Sequence, residues 1–71
     1  MNFITLLNLN MENKHTEISV FDKEGTLLVN GNAKAIYDVT SYLFREAYVT
    51  FISFNYEYDF INVTLDLKVI K

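Results

Sequence analysis

The clearest pattern in the chain is the alternation of apolar and polar residues close to its end. Between Ile61 and Val69 every second residue is apolar, and the residues between them are polar or charged. A period of two predicts a β-strand with one buried and one solvent-facing side. Residues 48–54 form a preceding β-branched and aromatic run, and residues 55–59 are the most polar stretch between the two runs. We therefore predict a β-hairpin here.

A second hairpin is predicted upstream. Residues 17–21 and 26–29 are rich in apolar residues, and the polar residues 22–25 separate them. Gly25 can adopt the left-handed backbone conformation that closes a type I turn with a bulge. Residues 3–9 are predicted to form a further strand, which the polar residues 10–15 connect to this hairpin.

One segment follows a helical period instead. Asn32 occupies the position of an N-cap, and the residues after it place apolar side chains on one helical face and polar ones opposite. We predict a helix from 33 to 47 whose apolar face comprises Ala33, Ile36, Tyr37, Val39, Leu43, Phe44 and Ala47. The expected fold class is α+β, with the order β-β-β-α-β-β and one helix packed on one face of a small antiparallel sheet.

The composition indicates a single domain over residues 1–71 that depends on its apolar residues. Hydrophobic residues make up 51% of the chain. Cysteine is absent and histidine occurs once, so neither disulfides nor a structural zinc site can stabilise the domain. One helix covers only one face of a sheet, yet residues 3–9 and 48–54 are apolar on both predicted faces. Either these are central strands with tolerated exposure, or the second face is an interface, for example of a homodimer.

The charges argue against nucleic acid as a direct ligand. Nine acidic and six basic residues give a net charge of −3, and the basic residues are scattered along the chain. The predicted helix contains two basic residues, Lys34 and Arg45, but also two acidic ones, Asp38 and Glu46. This mixture of charges makes the helix unsuitable for reading DNA. No signal peptide and no membrane-spanning run is recognisable, so we expect a cytoplasmic protein without membrane contact.

No combination of residues points to catalysis. His15 has Glu12 and Glu17 nearby in sequence, but a solvated loop histidine is the better explanation. The serines lie in no nucleophile motif, and two isolated glycines cannot form a phosphate-binding loop. We therefore expect no enzyme activity, no cofactor and no metal.

The most distinctive stretch is the connection between the last two predicted strands. Tyrosines and carboxylates alternate there, where small polar residues are usual in a turn. Tyrosine is enriched in binding surfaces, and flanking acids steer basic partners. The alternative is that the tyrosines continue the strand and the acids are simply solvated. The predicted partner-binding residues are Tyr56, Glu57, Tyr58 and Asp59, together with Asp22 and Glu24 at the other hairpin.

These observations favour a non-catalytic protein-binding module. Residues with AT-rich codons far outnumber Gly, Ala, Arg and Pro, which suggests a low-GC bacterium or its phage. The most concrete hypothesis is a small phage or prophage accessory inhibitor that docks on a basic, nucleic-acid-binding host protein, comparable in class to small anti-CRISPR proteins. Its carboxylates would lie where phosphates normally bind. The alternative is a structural protein that forms a homo-oligomer through its open sheet face.

Overall fold

The computed structural model describes residues 1–67. Its elements are three short helices and four strands: α1 (Phe3–Leu9), β1 (Glu17–Phe21), β2 (Leu27–Gly31), α2 (Ala33–Val39), α3 (Tyr42–Arg45), β3 (Tyr48–Asn55) and β4 (Phe60–Asp66). The α+β class and both hairpins are confirmed. The predicted continuation of the last strand to Val69 lies partly outside the described residues.

The four strands form one mixed sheet in the order β2-β1-β4-β3. The two hairpins are antiparallel, but the central pair, β1 and β4, is parallel, so the prediction of an entirely antiparallel sheet was wrong. In this register Ile18 lies beside Ile61 and Val20 beside Val63. The parallel pairing therefore brings the apolar sides of the two strands together on the same face of the sheet.

Residues 3–9 are helical, so the prediction of a strand there was wrong. Phe3, Leu6 and Leu7 are buried, and this spacing of i, i+3 and i+4 is that of one helical face. Thr5 and Asn8 are exposed. A run of five apolar residues in seven fits a strand and a helix about equally well by periodicity, which explains the error.

The predicted helix over 33–47 is divided into α2 and α3. The cap at Asn32 is confirmed, because its side chain accepts a hydrogen bond from the amide of Ala35 at 2.8 Å. Thr40 and Ser41 have extended backbones, and the hydroxyl of Ser41 accepts from the amide of Phe44 at 3.2 Å, which begins a new helix. This break leaves Val39 exposed instead of on a buried face.

The core lies between the helices and one face of the sheet. The buried apolar residues of the helices meet every second residue of the two central strands, in a cluster made of Phe3, Leu6, Leu7, Ala33, Ile36, Ile18, Val20, Ile61, Val63 and Leu65. Three short helices, and not the one that was predicted, thus pack on this face of the sheet. The opposite sheet face, called the open face below, carries the alternate residues of the strands, of which Phe51 is exposed. Within residues 1–67, no helix is long and apolar enough to cross a membrane.

Candidate partner-binding surface

The connection between β3 and β4, residues 56–59 and called the β3–β4 turn below, has a well-defined backbone. The side-chain oxygen of Asn55 accepts hydrogen bonds from the amides of Glu57 at 3.1 Å and Tyr58 at 3.3 Å. Asp59 closes the turn with φ of +53°, in the left-handed region that Asp and Asn tolerate better than most residues. Local hydrogen bonds therefore fix the direction of the residues between Asn55 and Asp59.

Asp59 also ties this turn to the segment that leads into β1. Its Oδ1 accepts a hydrogen bond from the hydroxyl of Thr16 at 2.7 Å, and its backbone carbonyl accepts from the amide of Glu17 at 3.1 Å. Thr16 is buried, so this carboxylate satisfies a hydroxyl that water cannot reach freely. Asp59 thus positions the turn.

The two tyrosines of the turn project into solvent. Tyr56 is 88% exposed and Tyr58 is 72% exposed. The ring of Tyr56 stacks on that of Phe54, with centroids 5.9 Å apart and planes at 8°. Glu57 lies between the two tyrosines in sequence, and its carboxylate has no hydrogen-bond or ion-pair partner within residues 1–67. The turn therefore presents two aromatic rings and one uncommitted carboxylate.

Strand β3 carries further exposed aromatic rings, Phe54 on the face of the sheet that packs against the helices and Phe51 and Tyr48 on the open face. Phe54 is 48% exposed and Phe51 is 61% exposed, and Tyr48 at the start of the strand is also exposed. The sequence pattern identified β3 as apolar on both faces, but it missed that Phe54 supports Tyr56. The i, i+2 spacing of Phe54 and Tyr56 could have indicated this contact, because it places both rings on the same side of an extended chain.

The connection between β1 and β2, residues 22–26 and called the β1–β2 turn below, binds its own carboxylate. Oδ1 of Asp22 accepts from the amides of Glu24 at 3.0 Å and Thr26 at 2.9 Å, and Gly25 has φ of +85°, as predicted for this turn. Lys23 forms an ion pair with Asp66 at 3.3 Å. Glu24 is exposed, so it is the acidic group that this turn presents to solvent.

The two turns lie at opposite ends of the sheet. Strands β1 and β4 are parallel, the β1–β2 turn follows the end of β1, and the β3–β4 turn precedes the start of β4. The length of β1, five residues or about 17 Å, separates them. Asp22 and Glu24 therefore do not form one cluster with the tyrosines, Glu57 and Asp59.

Several basic side chains are engaged in contacts within the protein. The guanidinium of Arg45 lies over the ring of Tyr37, 4.2 Å from its centroid, and donates to the carbonyl of Tyr37 at 2.9 Å. Lys34 pairs with Asp38 at 3.4 Å within α2. With the ion pair of Lys23, three basic side chains therefore interact with other groups of the protein itself.

His15 lies in a polar cleft beside the candidate surface. Glu12, Lys14 and Asp59 line the same cleft, and His15 is exposed. Within residues 1–67, no group of three or more His, Cys, Asp or Glu side chains is arranged to hold a metal ion. The expectation that the chain is not an enzyme stays a prediction.

Comparisons with known proteins add no family to this description. No protein-family model, no curated protein sequence and no solved structure matches the chain significantly.

Proposed function

We propose that the protein is a non-catalytic protein-binding module and that its β3–β4 turn is the main contact surface. The observation that carries this proposal is the exposure of Tyr56 and Tyr58, 88% and 72%, on a turn whose backbone amides are held by the side chain of Asn55. Large aromatic side chains at the tip of a turn contribute little to a core, whereas they are the most frequent anchors of protein interfaces.

The rigidity of the turn supports this role. A binding loop that is ordered before association loses less conformational entropy when a partner arrives. Asn55 and Asp59 order the β3–β4 turn from its two ends, and stacking on Phe54 restricts the ring of Tyr56. Tyrosine itself has only two side-chain torsions, so its contact area is gained at low entropic cost.

The charge of the surface favours a basic partner. Glu57 lies between the two exposed rings, and the whole chain carries a net charge of −3. A carboxylate can accept the bidentate hydrogen bonds that arginine otherwise gives to phosphate. The proposed target is therefore a basic, nucleic-acid-binding host protein in the cytoplasm of a low-GC bacterium. The protein would act as a phage or prophage accessory inhibitor, of the same class of activity as small anti-CRISPR proteins.

Asp22 and Glu24 play a secondary part in this proposal. They lie at the other end of the sheet, so a partner that contacts both turns must span its length. Asp22 already accepts two backbone amides, which leaves Glu24 as the group that such an extended partner would reach. Glu24 also serves as the matched comparison for Glu57, because both are exposed glutamates on hairpin turns and the proposal assigns the larger effect to Glu57.

Affinity capture with three baits tests the proposal. The tagged wild-type protein, Glu57→Lys and Glu24→Lys are incubated with lysate of a low-GC bacterium, and retained proteins are quantified by mass spectrometry. We expect the wild type to retain a basic nucleic-acid-binding protein that duplex DNA displaces, Glu57→Lys to retain about tenfold less of it, and Glu24→Lys to lose clearly less than Glu57→Lys. Equal retention by Glu57→Lys, or a captured protein that DNA does not displace, would contradict the proposed surface.

A second candidate is self-assembly through the open face. Phe21 and Phe51 flank Thr64 in one cross-strand row of that face, and Leu27 extends the row on β2. An apolar row of this kind on a small domain is typical of an association surface. Assembly requires a melting temperature that rises with protein concentration, whereas the inhibitor proposal is satisfied by a monomer.

A further inference from the structure

The outer edge of β3 is the most open hydrogen-bonding surface of the sheet. The strand has eight residues, Tyr48–Asn55, and contains neither a charged residue nor a proline. Natural edge strands are usually protected from pairing by such residues, by shortness or by bulges. The other edge strand, β2, has five residues, carries the extra residue of a bulge in its pairing with β1 and ends at Gly31 with φ of +144°.

One end of the β3 edge already has an antiparallel neighbour. Asn2 bridges Tyr48, the amide of Phe3 donates to the carbonyl of Ala47 at 2.9 Å, and the amide of Val49 donates to the carbonyl of Met1 at 2.8 Å. This short bridge shows that the edge accepts an extended segment in antiparallel orientation. Beyond it, residues 50–55 have no strand on their outer side within residues 1–67.

We infer that this remaining edge pairs with the same edge of a second copy of the chain, antiparallel and about a two-fold axis at Ser53. The sheets of the two subunits then join into one eight-stranded sheet. This inference is independent of the proposed function, because it uses the backbone of β3 and not the side chains of the β3–β4 turn.

The length and register of the free edge fit a copy of itself. The irregularity in the pairing of β3 with β4 lies between Val49 and Phe51, so residues 51–55 form a regular stretch. A two-fold axis at Ser53 aligns Phe51 with the partner subunit's Asn55, and the paired stretch is these same five residues. It ends on one side at the segment that bridges Tyr48 and on the other at the β3–β4 turn.

The side chains are also self-complementary in this register. Residues directly opposite each other in an antiparallel pair lie on the same face. On the face of the sheet that packs against the helices, Ile52 lies beside the partner subunit's Phe54. This contact covers the Phe54 ring, which is 48% exposed in a single copy. On the open face, Phe51 gains a neighbour. The paired stretch is uncharged, so the net charge of −3 creates no like-charge contact within it.

Charges placed at Ser53 test the register. Ser53→Lys sets two lysines opposite each other at the axis, and Ser53→Asp sets two aspartates there, whereas an equimolar mixture of the two variants pairs opposite charges. Asn30→Lys is the control. Asn30 lies on the other edge strand, β2. One cross-strand row of the open face runs from Asn30 through Ser19 and Asn62 to Ser53.

Sedimentation equilibrium from micromolar to near-millimolar concentration gives the readout. We expect a dimer for the wild type and Asn30→Lys, a dissociation constant raised about tenfold or more for each Ser53 variant, and recovery of the dimer in the mixture. Hydrogen exchange should show protection of backbone amides within 50–55 that increases with concentration. Circular dichroism confirms that the variants are folded.

Three results would overturn the inference. A wild type that is monomeric throughout the range leaves the edge without a second copy, and a foreign extended peptide then becomes the alternative occupant. Equal loss of the dimer in Asn30→Lys and Ser53→Lys would indicate face-to-face assembly through the open face. A dimer of Ser53→Lys as stable as that of the wild type would exclude the proposed axis.

Discussion

The β1–β2 turn begins with Asp22, and the β3–β4 turn directly follows Asn55. In each case the side-chain oxygen of this residue accepts hydrogen bonds from two backbone amides of the turn. Each also contains one residue with positive φ, Gly25 at +85° and Asp59 at +53°. The first turn meets the backbone requirement with glycine. The second meets it with a non-glycine residue and carries two exposed tyrosines as well.

The comparison distinguishes turn residues that the fold requires from turn residues that it does not require. Every distinctive residue of the β1–β2 turn except Glu24 has an internal contact or a backbone role, because Asp22 caps amides, Lys23 pairs with Asp66 and Gly25 supplies its conformation. In the β3–β4 turn, Asn55 and Asp59 play the corresponding roles. The side chains of Glu57 and Tyr58 play no such role, and Tyr56 contacts only the partly exposed ring of Phe54. These three side chains are the ones that we assign to binding.

The largest change in stability is expected from Asp59→Ala. The substitution leaves the buried hydroxyl of Thr16 without its acceptor and places alanine at positive φ, which together should lower the free energy of unfolding by about 2 kcal/mol. Asp59→Asn is the matched control, because asparagine retains an acceptor and tolerates this φ. Urea denaturation distinguishes the two variants. Equal stability of Asp59→Ala and the wild type would show that Asp59 does not position the turn.

A smaller loss is expected from Gly25→Ala. A Cβ at this position would meet no atom within 4 Å, so the cost arises from the backbone conformation alone and should be about 1 kcal/mol. In a domain of this size that lowers Tm by about 4–8 °C, which calorimetry can measure. Gly25→Asn should lose less, because asparagine tolerates the left-handed region better. A loss for Gly25→Asn as large as that for Gly25→Ala would contradict this assignment.

The alternation of apolar residues predicted the strands well where one side of each strand is buried. In β4, Ile61, Val63 and Leu65 are buried and the residues between them are only half-buried, as the period of two implied. The N-cap at Asn32 and the conformation of Gly25 were also predictable, because both depend on interactions within a few residues.

Features that depend on distant parts of the chain were not predictable from pattern alone. Residues 3–9 form a helix because Phe3 and Leu7 pack against the other helices and the sheet, and a short apolar run does not reveal this. The break at Thr40 and Ser41 was hidden because their neighbours continue a helical period. The parallel pairing of β1 with β4 involves strands about 40 residues apart, as in the pair Ile18 and Ile61.

The candidate site, too, could be predicted from the sequence only in part. The tyrosines and carboxylates could be identified from composition, since their occurrence in a turn is unusual. Their grouping could not, because the pairing of β1 with β4 decides that Asp22 and Glu24 lie at the end of the sheet opposite Tyr56. The role of Asp59 depends on Thr16, which is 43 residues away in sequence.

The free energy of unfolding of the double variant Tyr56→Ala/Tyr58→Ala tests most directly whether the β3–β4 turn carries side chains that the fold does not need. Urea denaturation of this variant and the wild type, with Asp59→Ala as a destabilised reference, requires no knowledge of the partner. We predict a change of less than about 0.5 kcal/mol, because both rings are largely exposed. A loss of about 2 kcal/mol or more would make the rings part of the fold and would contradict their assignment to binding.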